Sequence, residues 1–152
     1  MSFDTPAGTR GRRPAGTAMR WLNKLATRRI RRKGGKFMGI DALLLTTIGR
    51  KSGLERTTPV GWFPGDDGSR LIVASAGGAA VNPAWYYNLG AHPDKVQIEV
   101  DGRKVAVVAE QLHDAERAVA WQQISTAVPR FVQYQQKTDR ELPIIRLVPR
   151  SG

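Results

Sequence analysis

Three β-rich runs, Asp41 to Ile48, Glu55 to Phe63 and Arg70 to Ser75, follow one another with only short glycine-bearing turns between them. A parallel pair needs a crossover of a dozen or more residues, so these runs should pair as antiparallel neighbours. Gly49-Arg50-Lys51-Ser52-Gly53 lies in the first turn and Pro64-Gly65-Asp66-Asp67-Gly68 in the second. Downstream, Lys95 to Val100 and Arg103 to Gln111 flank Asp101-Gly102, a dipeptide suited to a two-residue type I′ hairpin. Pro143 to Val148 supplies a sixth strand. A helix should open at Asn82-Pro83, with Asn as cap and Pro in the first turn. Two more are expected from Asp114 to Ala127 and from Arg130 to Thr138. Six strands in hairpin-like succession, with helices inserted and appended, predict an α+β fold built on a small antiparallel barrel.

The net charge of +11 belongs to one end of the chain. Residues 1–36 hold eleven Lys and Arg against the single acid Asp4, whereas residues 37–152 hold thirteen against twelve. The body is therefore close to neutral. Residues 1–16, rich in Gly and Pro, read as a disordered lead-in ahead of a single domain over 17–152. From Thr17 to Lys33, Met19, Leu22, Leu25, Ala26 and Ile30 recur at helical spacing among basic residues, which predicts a basic amphipathic helix. Such a helix, with residues 17–36 as a whole, could lie on an anionic membrane surface, contact nucleic acid, or simply pack its apolar stripe on the domain. The neutral body argues against nucleic acid as a partner. No secretory signal or membrane-length apolar run is evident, so a cytoplasmic protein is expected, with a peripheral position on the inner membrane face as an extension of the helix argument.

There is no cysteine, which removes disulfides, thiolate metal sites and cysteine nucleophiles. His92 and His113 have no ligand partners at useful spacing, and no metal site is expected. Two segments carry chemistry. In the first, Arg50, Lys51 and Ser52 sit between Gly49 and Gly53, with Arg56 close behind. Guanidinium, ammonium and exposed amides make charge-assisted bonds of about 1.5–3 kcal/mol each, so this turn is suited to phosphate. Turn geometry alone also favours Gly, Ser and Lys, and the segment is not a nucleotide P-loop. In the second, Ser75-Ala76-Gly77-Gly78 leads through Asn82 and Pro83 to Ala84-Trp85-Tyr86-Tyr87-Asn88. Glycines permit close backbone approach and the aromatics could cradle a planar ring, although Trp85 and a tyrosine could equally be core anchors.

Taken together, LLLTTIGRKSGLERTTPV, LIVASAGGAAVNPAWYYNL and KTDRELPIIRLVP resemble the deazaflavin-dependent nitroreductase family, reductases that use reduced coenzyme F420. The resemblance spans roughly Leu43 to Pro149. It implies a split antiparallel β-barrel of the FMN-binding type, with coenzyme F420 as cofactor and FMN as the weaker alternative. By matching position, Arg50, Lys51, Ser52, Gly53 and Arg56 would hold the phosphate and anionic tail, and Thr57, Thr58 and Pro59 would line the same path. Ser75, Ala76, Gly77 and Gly78 would lie along the deazaflavin and its sugar-like chain, with Asn82, Pro83, Ala84, Trp85, Tyr86 and Asn88 completing the pocket. Trp62, Val128, Phe131 and Tyr134 would face the substrate. Ala76 stands where members often carry a basic residue, and only Tyr134 remains of several tyrosines expected near the acceptor. The implied reaction is hydride transfer to a quinone, enone or activated nitro compound, a small-molecule electrophile, with Ser75 and Tyr134 as candidate hydrogen-bond donors. The competing readings are a deazaflavin- or flavin-binding module without turnover and a nucleic-acid-binding protein.

Overall fold

The computed structural model describes residues 3–11, 24–30, 35–37 and 39–150. Its strands are β1 (Lys36–Phe37), β2 (Ile40–Ile48), β3 (Glu55–Gly61), β4 (Phe63–Pro64), β5 (Arg70–Val73), β6 (Val96–Val100), β7 (Arg103–Gln111) and β8 (Ile144–Pro149). The helices are α1 (residues 24–30), α2 (Ala84–Ala91), α3 (Asp114–Ala127) and α4 (Arg130–Gln136). All strand pairs are antiparallel, in the order β1-β2-β6-β7-β8-β5-β4, with β3 on β2. The Asp101-Gly102 hairpin forms as expected, with both residues at positive φ (51° and 78°) and Val100 opposite Arg103.

The run expected to be one strand from Glu55 to Phe63 is interrupted at Trp62, and that break shapes the molecule. Before it, β3 pairs with β2 from Glu55↔Ile48 to Gly61↔Ala42. After it, β4 pairs instead with β5. One polypeptide run thus serves both ends of the sheet, which curls into a half-barrel. Trp62 N–H donates to the Asp41 carbonyl at the bend, 2.8 Å.

The curl creates two main cores. Leu43, Leu45, Val60, Ile72, Ile98, Val107, Ile145 and Leu147 line the concave face, closed by Tyr86 and Leu89 of α2. Phe63, Leu71, Leu112, Ala120, Ile124, Phe131 and Ile144 form a second core involving α3 and α4, with Phe63 and Phe131 edge-to-face at 5.9 Å. β2 is buried on both faces because Ile30 of α1 covers Ala42 and Leu44. Each fully buried aliphatic side chain contributes about 1.5–3 kcal/mol. The packed reading of the basic helix therefore holds at Ile30, while Leu25 is 52% exposed. The rest of the expected 17–33 helix, residues 17–23 and 31–33, lies outside the described residues. No helix among the described residues is long and apolar enough to cross a membrane.

Residues 3–11, expected to be part of a disordered lead-in, instead lie as a strap across the body. Phe3 meets Tyr86 edge-on at 5.6 Å, and Thr5 N–H donates to the Tyr86 hydroxyl at 3.0 Å. Gln111 Nε2 donates to Thr5 Oγ1 (2.8 Å), and Gly8 N–H donates to the Ala80 carbonyl (2.6 Å). Asp139 completes the fastening by accepting from Thr9 N–H (2.7 Å), Arg10 N–H (3.0 Å) and the Thr9 hydroxyl. The Gly and Pro content of residues 1–16 is what suggests disorder. One aromatic anchor and partners for its backbone amides suffice to order it.

The Thr9 hydroxyl, followed by the amides of Arg10 and Thr9, holds the Asp139 carboxyl down at about 2 from its ordinary 3.8. A depressed carboxyl favours the docked strap fully above its ordinary value, and that contribution is lost as pH falls through the folded value. The Thr9 and Arg10 amide NMR shifts should therefore titrate with a midpoint near 2. A midpoint at 3.8 would mean that the clasp is absent in solution.

Candidate functional site

The β2–β3 turn is rigid because its backbone closes on itself. Gly53 N–H donates to Gly49 O and Gly49 N–H to Leu54 O, both at 2.8 Å, and Ser52 Oγ accepts from Leu54 N–H at 3.2 Å. The turn then docks on α2. Arg50 N–H donates to Asn88 Oδ1 (3.0 Å), Asn88 Nδ2 donates to Thr47 Oγ1 (3.2 Å), and the Arg50 guanidinium lies 4.6 Å from the Tyr87 ring centroid. Arg50, Lys51 and Arg56 are exposed. Among the described residues no carboxylate engages any of the three. Cations held on a hydrogen-bonded turn without internal counter-charges are chemically suited to an anion, with little reorganisation needed to meet it.

The loop between β5 and α2 is the second part. Ser75 is right-handed (φ −79°, ψ −37°), and Ala76, Gly77 and Gly78 follow with φ of 47°, 64° and 85°. A right-handed residue followed by a left-handed one turns successive N–H groups into a concavity suited to an anion or a carbonyl oxygen. Gly78 N–H and Ala79 N–H are used within the loop, on Ser75 O (2.9 Å) and Ala76 O (3.1 Å). The N–H groups of Ala76 and Gly77 have no acceptor among the described residues.

Behind this loop lies Arg140, 2% exposed. Its Nε donates to Ala79 O (3.1 Å), Nη1 to Ala74 O (2.9 Å) and Asn82 Oδ1 (2.7 Å), and Nη2 to Ser75 O (2.8 Å) and Ala79 O (3.0 Å). Burial pulls the guanidinium down from its ordinary range, and the phenols of Tyr87 and Tyr86 act the other way. From the far side α4 abuts the loop so closely that a Cβ on Gly78 would stand 2.7 Å from the Tyr134 carbonyl oxygen.

The structure separates the expected site residues into those that face outward and those that support them. Lys51, Ser52, Gly53, Arg56, Thr57, Ala76 and Ala84 are exposed; Thr58, Ser75, Gly77, Pro83, Trp85 and Tyr134 are half-buried. The Ser75 and Tyr134 hydroxyls have no hydrogen-bond partner among the described residues. Lys137 Nζ sits 5.7 Å from the Tyr134 ring centroid.

Tyr86 is fully buried and is a core residue rather than a pocket wall. Its hydroxyl donates to Gln111 Oε1 (2.6 Å), and burial raises its pKa, so it stays protonated as that donor. Asn88 is 7% exposed and positions the turn through both ends of its side-chain amide, which makes it a support rather than an outward-facing contact. Asn82 does not cap α2, whose N-cap is Pro83. It is 4% exposed and ties Arg140 to the strap through Nδ2 to Thr5 O, 3.0 Å. Pro59 and Phe131 are buried, and Val128 packs at the edge of the second core. Trp62 is half-buried, with the Arg70 guanidinium 4.9 Å from its ring centroid. Sequence reasoning misses Arg140 and takes Tyr87 only as one of the aromatics that could cradle a ring. An arginine reads as a surface residue, and nothing local distinguishes Tyr87 from Tyr86.

The donor set suits an anionic ligand, since cations unengaged by carboxylates and unengaged backbone amides both adjoin α2. Comparison with known proteins identifies the family. The F420H2-dependent quinone reductase family description matches residues 19–149. An F420H2-dependent quinone reductase of Mycobacterium tuberculosis strain H37Rv is 39% identical over 112 residues, covering 72% of this chain and 74% of that protein. A solved F420H2-dependent reductase, 34% identical, superposes with a TM-score of 0.62 over 70% of this chain and 92% of its own. Another solved chain, described as a domain-swapped dimer and 31% identical, has a TM-score of 0.63 over 86% of this chain and 99% of its own. With a half-barrel fold, an anion-receptive turn and a family match over most of its length, the chain belongs to the F420H2-dependent quinone reductase family and is a deazaflavin-dependent oxidoreductase.

Proposed function

We propose that this protein reduces a quinone, or a related conjugated acceptor, by hydride transfer from reduced coenzyme F420. The observation that carries the placement is that Arg50, Lys51 and Arg56 stand exposed and unengaged by carboxylates on a turn fixed to α2, the helix into which the Ser75–Gly78 loop leads. The bound coenzyme supplies the hydride. The three cations bind its phosphate and acidic tail, and Ser52 and Thr57 border them. The loop amides of Ala76 and Gly77 receive a carbonyl or phosphate oxygen of the same ligand. Ser75 and Tyr134, whose hydroxyls are uncommitted, orient the acceptor and donate a hydrogen bond to the oxygen on which negative charge develops. The Tyr134 ring, braced edge-on against Phe131 at 5.8 Å and flanked by Lys137, offers a flat surface for a planar acceptor.

Mixing the protein with reduced coenzyme and a panel of quinones, enones and nitro compounds tests this reading. Oxidation of the coenzyme, followed by its absorbance, should be fastest with quinones. Binding without any absorbance change across the panel would make the protein a carrier, and turnover confined to nitro compounds would refute the acceptor assignment.

A further inference from the structure

Arg140 is buried without a carboxylate partner, and its five hydrogen bonds end on the backbone oxygens of Ala74, Ser75 and Ala79 and on the Asn82 side chain. Burying a guanidinium costs several kcal/mol unless its donors are fully used, so a residue placed this way has a particular shape to hold. That shape is the left-handed sequence Ala76-Gly77-Gly78, which a free chain does not favour at Ala76. Arg140 takes up the carbonyl oxygens of Ala74, Ser75 and Ala79 around the loop, and the Ala76 and Gly77 N–H groups have no acceptor among the described residues. Arg140 is itself fixed. Gln135 donates to its carbonyl (2.7 Å) and accepts from Leu142 N–H (3.0 Å), while Thr138 Oγ1 accepts from Arg140 N–H (3.1 Å).

We infer that Arg140 is a positioning residue for cofactor binding: it is the template around which the Ser75–Gly78 loop is wound, so that the loop amides are preorganised for the deazaflavin coenzyme. This rests on the proposed placement of the coenzyme along that loop. A lysine cannot reproduce the effect, because one ammonium has three donors and no planar fork to reach oxygens on separate residues.

Arg140→Lys, Arg140→Met and Ala76→Glu test it, each compared with wild type for coenzyme affinity, the KM values for coenzyme and quinone, and melting temperature. Ala76→Glu adds a carboxylate to an exposed site already at positive φ, so it reports on whether the loop faces the anionic coenzyme and leaves Arg140 untouched. All three variants should weaken coenzyme binding, Arg140→Met by at least tenfold, and should raise the coenzyme KM more than the quinone KM. Folded Arg140→Lys protein that melts lower but binds coenzyme and turns over as wild type, while Ala76→Glu binds weakly, would overturn the inference and leave the placement standing. If Ala76→Glu also binds normally, the placement itself fails, and the inference with it. Should Arg140→Met not fold, Arg140→Lys decides by the same criteria.

Discussion

Gly78→Ala is expected to destabilise the protein by about 2–5 kcal/mol, summing a left-handed penalty of about 1–2 with an overpacking penalty of about 1–3. Gly78 has φ 85°, and an added Cβ would stand 2.7 Å from the Tyr134 carbonyl oxygen and 3.0 Å from Lys137 Cβ. Backbone cannot swing aside as a flexible side chain can, so either α4 moves or the loop does. Since α4 carries Tyr134, displacement should also lower turnover in the protein that remains folded. Gly77→Ala is the matched control: its φ is 64°, but an added Cβ meets nothing within 4 Å. It should cost only the conformational term. Urea unfolding of both variants separates the two contributions, and equal losses would show that the loop and α4 are not in contact.

The second large effect concerns affinity rather than stability. Arg50→Ala combined with Lys51→Ala should weaken coenzyme F420 binding at least tenfold, about 1.4 kcal/mol or more. Both side chains are exposed, and the turn's attachment to α2 runs through the Arg50 backbone N–H to Asn88, which the substitutions retain. The melting temperature should therefore change little. Arg50 also stacks on Tyr87, so Lys51→Ala alone is the cleaner report of charge, and its effect should shrink as salt rises. Wild-type affinity in a titration of the double variant would remove the tail from this turn.

The positions legible in advance were those decided by neighbours in the chain. The Asp101-Gly102 hairpin forms where its dipeptide put it, and α3 has the expected bounds, Asp114–Ala127. Both depend on turn chemistry or on a helical pattern read over a few residues. Trp62 falls within a run that the sequence predicts as one strand, because the choice between leaving β2 and joining β5 exists only once the sheet curls. Tyr86 and Tyr87 adjoin on one helix turn. Only the position of α2 over the concave core decides that the first is buried and the second meets Arg50. The strap is not legible locally for a related reason, since its bonds reach 72 to 130 residues along the chain.

The amino-acid order alone determined the antiparallel hairpins, the two segments with ligand-binding chemistry and the family they resemble, because turn propensity, alternation and motif spacing are local properties. Tertiary structure decided which of those residues face outward. It placed Asn82, Tyr86 and Asn88 inside as supports, drew the N-terminal strap onto the body, and set Arg140 behind the glycine loop. A charged side chain becomes an internal scaffold only when oxygens from distant segments converge on it, and that convergence is a property of the folded chain.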